Sequence, residues 1–329
     1  MAVNSNTLQT VASSTIKEDL QDVLNMISPM QFPLMNMAKT RTVTNTLWET
    51  PEIALATAVS NNQVVEGEAA PGNDAALLPL RIQSTTEIAD KVVEVSDSSN
   101  NVMGAGKAES IAEQIVLHTK SLKRDMETSL CASKATNVGS ASAARVTPGY
   151  PSWMRDNTSR GTGGANPTLS SSTHGYPNAV ATDSSTGNLR DFSATSGAAA
   201  GETLFKNVIA SCWNAGAEPT TVICGSNHKQ DISAFAGSAS LYKDADQGVI
   251  QQGMSVYASD FGDLSIVPSR HIRTREIYVV DPEYVTIGYL QTLKQRDLAR
   301  TGHSERKLMS VEFGLYVMSE ANGIIADLS

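Results

Sequence analysis

The stretch Asn101 to Ser110, NVMGAGKAES, brings Gly106-Lys107 to the start of a helical pattern, where free backbone N–H groups attract phosphate. A phosphate-cradling loop also needs a glycine five positions before the second one and a Ser or Thr after the lysine. Those places hold Asn101 and Ala108. The residues read instead as turn freedom from Gly104 and Gly106 ahead of a long helix, with a nucleotide-binding enzyme as the alternative.

Other candidate chemistry is sparse. His118, His174, His228, His271 and His303 are scattered and form no HExxH pair, so no metal site is expected. No GxSxG elbow supports a serine hydrolase. Asp281 and Glu283 in DPEY would share one face of a strand and could do acid–base work, but Asp-Pro commonly opens a turn, and a turn between strands is the expectation. Arg270, Arg273 and Arg275 could grip phosphate; a solvated or subunit-facing basic strip is the preferred reading. His118 reads as a packed or edge histidine. No catalytic residue and no cofactor is expected.

These residues sit in a chain of 329 residues with 40% hydrophobic content and a net charge of −9, large enough to bury a substantial core. The acidic balance argues against wrapping a nucleic-acid backbone, whose affinity comes from Lys and Arg displacing counterions. Cys131, Cys212 and Cys224 are too few and too far apart for a disulfide framework, which suits a reducing compartment. The first residues lack a signal-peptide pattern and no segment has the apolar length of a membrane span, so cytosolic synthesis is expected and no membrane contact.

Helical spacing of Ile16, Leu20, Val23, Leu24 and Ile27 predicts an amphipathic helix over Thr15 to Ser28, ended by Pro29, and then an extended arm to Lys39. Residues 43 to 50 alternate as a strand, and return strands follow Leu77. The long connection between them is rich in small, acidic and turn-forming residues, and such loops usually have a job. Residues 41 to 110 carry a net of −6, and residues 266 to 310 a net of +3. Ile111, Ile115, Leu122 and Met126 form the apolar stripe of a long helix. From Asp156 to Gly201, 35 of 46 residues are Gly, Ser, Thr, Ala, Asn or Pro, predicting surface loops. Residues 202 to 237 read as helix, turn, apolar strand, helix. The last third reads as short strands, closing on LMSVEFGLYV, with Val311, Phe313, Leu315 and Val317 on one face.

The order of these pieces resembles the tailed-bacteriophage major capsid proteins of HK97-like fold. The residues carrying the likeness are Ile27-Ser28-Pro29 and Phe32-Pro33-Leu34 in the arm, Trp48 in the strand entering the long loop, EGEAAP at Glu66 to Pro71 near its tip, and the closing strands, with Glu312, Tyr316, Asn322 and Ile325 in the family pattern. It covers nearly the whole chain except about 150 to 200.

The resemblance implies an α+β fold: an N-terminal arm over 1–41, an extended E-loop hairpin over 42–92, a peripheral domain over 93–149 with a spine helix at 108–133, an insertion at 150–200, an axial domain over 201–300 and a return strand over 301–329. It implies a homo-oligomer of hexamers and pentamers closing an icosahedral shell around double-stranded DNA without sequence-specific contact, located in the virion and made in the host cytoplasm, with portal, scaffolding and decoration proteins as partners. Alternatives are an encapsulin-like nanocompartment shell and, opposed by the missing signal pattern, a secreted adhesin. No lysine lies between Arg41 and Lys91, so a lysine cross-link from the loop is not expected. Inter-subunit contact is expected of Trp48, Val64, Val65, Glu66, Glu68, Arg270, Arg273 and Arg275, with the acidic loop tip meeting the late basic region of another copy.

Overall fold

The computed structural model describes residues 30–56, 58–67, 69, 75–102, 110–172, 174–194, 200–235 and 255–329. The predicted helix at Thr15 to Ser28, the Ile27-Ser28-Pro29 signature, the Gly104–Lys107 turn and Glu68 lie outside the described residues.

The strands are β1 (Lys39–Thr42), β2 (Leu47–Glu52), β3 (Leu80–Thr85), β4 (Glu87–Ser96), β5 (Thr158–Ser159), β6 (His174–Gly175), β7 (Thr221–Cys224), β8 (Val256–Ser259), β9 (Gly262–Pro268), β10 (Ile277–Val280), β11 (Val285–Asp297), β12 (Ser304–Val317) and β13 (Gly323–Ile325). The helices are α1 (Pro33–Met37), α2 (Asp97–Asn101), α3 (Ile111–Cys131), α4 (Tyr150–Trp153), α5 (Gly201–Asn214) and α6 (Ser226–Ser233). They build a four-stranded sheet ordered β1-β11-β12-β4, a six-stranded sheet ordered β5-β13-β10-β7-β9-β8, and a three-stranded sheet ordered β2-β3-β6.

The α3 helix starts where Ser110 accepts the N–H of Glu113, an N-cap that satisfies a donor the helix itself cannot. Leu122, Met126 and Leu130 join Met309, Val311, Phe313, Leu315 and Val317 of β12 in one core, as the alternation in the closing strand predicts. A second core lies under the six-stranded sheet, where Leu204, Phe205, Val208 and Ile209 of α5 meet Val222, Cys224, Ile277, Val279 and Ile325.

Four expectations are corrected. The arm from Pro29 to Lys39 is not extended throughout: Pro33 opens α1, a position where its missing N–H costs nothing. The strand expected at 43–50 runs Leu47–Glu52 and continues through Pro51, which pairs with Arg81; β2 is an edge strand, so the lost donor faces outward. The return strands divide, because β3 pairs with β2 whereas β4 pairs with β12 in the four-stranded sheet. The boundary drawn at 300 cuts a single hairpin, since β11 and β12 pair from Val285↔Val317 to Asp297↔Lys307, while β13 pairs with β10 in the six-stranded sheet.

The segment 150–200 is also more than surface loop. Tyr150 and Trp153 are buried, and Tyr150 stacks on Tyr278 with ring centroids 4.3 Å apart. Further on, Asp327, at φ 60°, accepts the N–H groups of Gly161 and Ser184, both at 2.9 Å, and the Ser184 hydroxyl at 3.1 Å. Arg190 donates to the carbonyls of Ser159 and Ala326 at 2.7 and 2.6 Å. A segment with few apolar groups is thus held by directed hydrogen bonds, which residue-type counting does not register.

Candidate assembly interface

The β2–β3 hairpin is rooted in its own chain by Trp48. Its side chain is only 6% exposed and lies over two glycines: a Cβ at Gly314 would stand 2.9 Å from Trp48 Nε1, and one at Gly288 would stand 3.0 Å from its ring. Glycine at these two strand positions leaves room for the indole. Tyr316 meets Trp48 edge-on at 6.2 Å, meets Trp153 edge-on at 5.5 Å, and donates its hydroxyl to Glu52 Oε1 at 2.7 Å. Burial pushes the Glu52 carboxyl upward, against the opposing pull of the Tyr316 hydrogen bond and of Arg155.

Polar contacts complete the root. Ser84 donates to the Leu315 carbonyl at 2.6 Å, and Thr86 to Glu312 at 2.7 Å, where Arg145 also pairs at 2.5 Å. Gln83 donates to Glu49 at 2.8 Å. This bond, with that from Arg81, holds the Glu49 carboxyl below the usual range.

Beyond the root the hairpin has no described residue in helix or strand from 53 to 79. It carries Ile53, Leu55, Val59, Val64, Val65, Leu77 and Leu78 in the open, with Leu55 at 86% and Leu78 at 83% exposure. A concentration of large apolar groups on one projecting segment marks an interaction surface. Glu66 is exposed beside Gly67, whose φ of +87° makes the turn there.

The expected contact residues therefore separate. Val64, Val65 and Glu66 lie on the exposed loop. Trp48 is buried at the root of the hairpin within its own chain. Of the three arginines, Arg270 is exposed, Arg273 pairs with Asp183 at 2.5 Å and with buried Glu276, and Arg275 is half-buried.

Asp281 accepts the Glu283 N–H at 3.0 Å, capping a one-turn 3-10 helix between β10 and β11, which is the expected turn. His228 is buried with Nε2 2.9 Å from the Thr274 carbonyl. Among the described residues no group of three His, Cys, Asp or Glu side chains could hold a metal ion, and no helix is long and apolar enough to cross a membrane.

One positioning residue escapes the sequence reading. Glu127, fully buried on α3, accepts the N–H groups of Leu34 and Met35 at 2.9 and 3.0 Å, fixing α1 and the arm to the long helix. The signal is an acid beside the apolar stripe, next to Met126.

Comparison with known proteins places this geometry. The chain matches the SU10 major capsid protein family over residues 3–329. It is 32% identical over 113 residues to the major capsid protein of Escherichia phage Phieco32, an alignment spanning 34% of this chain and 32% of that relative. Its fold is similar to a solved structure from Gordonia phage Cozz, with a TM-score of 0.61 and 13% identity, covering 100% of this chain and 98% of the other. It is also similar to the SrpI encapsulin of Synechococcus elongatus PCC 7942, with a TM-score of 0.53 and 13% identity, covering 98% of each chain. With the α+β architecture of an HK97-like fold and a projecting hairpin rooted on Trp48, the chain belongs to the SU10 major capsid protein family.

Proposed function

We propose that the chain closes into hexamers and pentamers of an icosahedral head in the virion, around double-stranded DNA, and that residues 53–79 are an E-loop lying on a neighbouring subunit. The observation that carries this is the exposed apolar run on a hairpin whose root is locked by Trp48, Tyr316 and Glu52. A monomer would leave that run in water, while a neighbour removes it from water at about 25 cal/mol per Å². In this reading α3 is the spine helix, the four-stranded sheet belongs to the peripheral domain, and the six-stranded sheet with α5 and α6 forms the axial domain. The acidic tip with Glu66 and Glu68 meets basic groups such as exposed Arg270 on another copy, each pair contributing up to about 1 kcal/mol. Synthesis takes place in the host cytoplasm, and portal, scaffolding and decoration proteins are the partners to look for.

Negative-stain microscopy of the expressed chain, with absorbance of purified particles for nucleic acid, tests the reading. Closed particles of uniform size are expected. A compact monomer that stays single at high concentration overturns it. The likeness to an encapsulin favours one second reading, a nanocompartment, which particles holding a protein cargo in place of DNA would support.

A further inference from the structure

The acidic chain gathers some of its cations where, among the described residues, no ion pair neutralises them. Lys120, Lys123 and Arg124 fall at i, i+3 and i+4 on α3, one face of the helix. Lys123 is exposed and the other two are half-buried. The Thr128 hydroxyl lies 3.1 Å from His271 Nδ1, which brings the loop carrying exposed Arg270 against the same face. His271 reports the crowding: burial and then the positive charges of Arg124 and Arg270 hold its ring below the ordinary histidine range.

Among the described residues none of Lys120, Lys123, Arg124 and Arg270 takes part in a salt bridge. The acids of α3 are otherwise engaged: Asp125 pairs with Lys91 at 2.6 Å, and Glu127 faces inward to the arm. Glu113 lies two helical turns upstream of Lys120, about 10 Å along the axis. Near the β11–β12 tip three cations are paired instead, Arg300 with Asp97, Arg306 with Glu94, and Lys307 with Asp297 and Glu305, while Lys294 and Arg296 stand apart on the exposed strand.

We infer that this ledge faces the lumen of the shell and contacts the phosphodiester backbone of double-stranded DNA. The inference rests on the shell reading above and supplies the DNA contact that the overall charge of −9 hides. From residue 120 to 124 the helix rises about 6 Å, close to two base-pair rises of about 3.4 Å along the duplex axis. Long basic side chains at that spacing follow a phosphate row without reading bases.

The test is binding of the full chain to a short labelled DNA duplex across a salt series. The variant is Lys120→Gln, Lys123→Gln and Arg270→Gln together. The control, with the same charge change at cations that are paired, is Arg300→Gln, Arg306→Gln and Lys307→Gln. The ledge variant should bind roughly 10- to 100-fold more weakly at low salt and lower the slope of log affinity against log salt by roughly 2 to 3; the control should keep most of both. Equal losses in the two triples, or none in the ledge triple, overturn the inference. So does polyglutamate binding the wild-type chain as tightly as the duplex does, since the partner would then be an acidic polypeptide. Microscopy of the same preparations separates the two readings: absent shells count against the shell, whereas intact shells with unchanged duplex binding count against the ledge alone.

Discussion

Trp48 stands edge-on to Tyr316, ring centroids 6.2 Å apart at 63°, so the first strand of the projecting hairpin is clamped to the closing strand of the chain, far away in sequence. The clamp separates two roles: the root is folded chain, and the loop beyond it is surface awaiting a partner. Trp48→Ala should destabilise the unassembled protein by about 3–5 kcal/mol, while Trp48→Phe, which keeps an edge-on ring, should recover a good part. Thermal unfolding of the two variants checks this. A Trp48→Ala chain melting with the wild type would mean that the anchor is elsewhere.

The indole depends on the glycine beneath it. A methyl group at Gly314 would sit 2.9 Å from both the Thr85 carbonyl oxygen and Trp48 Nε1, and one of these contacts is backbone that cannot swing aside. Gly314→Ala should lower stability by about 1–3 kcal/mol. The loss should shrink in a Trp48→Phe background, because the two sites share a contact. A double-mutant cycle by denaturant unfolding measures that coupling.

The pin between α3 and the arm has a testable pH signature. Burial raises the Glu127 carboxyl above its ordinary value, outweighing the two backbone N–H bonds that favour its ionised form. The native state therefore binds this proton more tightly than the unfolded chain, so the group's contribution to stability is full at low pH and declines as pH rises through the folded value. Glu127→Gln does not titrate, and its amide oxygen can accept only part of what the carboxylate accepts. Its stability deficit should be largest in acid and shrink toward neutral pH. A deficit that instead grows with pH would show that the N–H groups of Leu34 and Met35 depress the carboxyl.

Much of the fold is legible in the residues because it follows from period. The apolar stripe of α3, the alternation of β12 and the helix-strand-helix run of α5, β7 and α6 each announce themselves. The order of those pieces points to the capsid family before any contact is known. Less legible is whatever depends on a distant partner. That Trp48 is buried over Gly288 and Gly314 shows only in the fold. So does the pairing of Arg273 with Asp183 and Glu276. The Gly/Ser-rich segment looks detachable because its hydrogen bonds to Asp327 span 143 and 166 residues of sequence. Charge averaged over the chain hides a ledge of four cations for the same reason.

Asp327 allows the hold on the Gly/Ser-rich segment to be measured. It is the acid within the apolar run Ile324 to Leu328 and accepts three donors from the segment that composition alone assigns to the surface. Asn tolerates the left-handed backbone required there, so Asp327→Asn tests the hydrogen bonds with little change in strain. It should cost about 1–3 kcal/mol and speed amide exchange at Gly161 and Ser184 above that of α3. Unchanged protection at both amides would show that the segment is held by its buried ends, Trp153 and Phe192, alone.

The hairpin itself gives the sharpest contrast between folding and assembly. Leu55 and Leu78 are 86% and 83% exposed, so changing both to serine removes apolar area that the isolated chain does not bury. Surface substitutions of this kind usually move stability by no more than about 0.5 kcal/mol. If a neighbouring subunit covers the loop, each site loses on the order of 1–2 kcal/mol of contact, repeated at every subunit of a closed shell. Leu55→Ser with Leu78→Ser should therefore leave the melting temperature of the unassembled chain in place and sharply reduce particle yield by light scattering and microscopy. A variant that assembles like the wild type would show that the loop stays in water, and the apolar run would then need a different occupant.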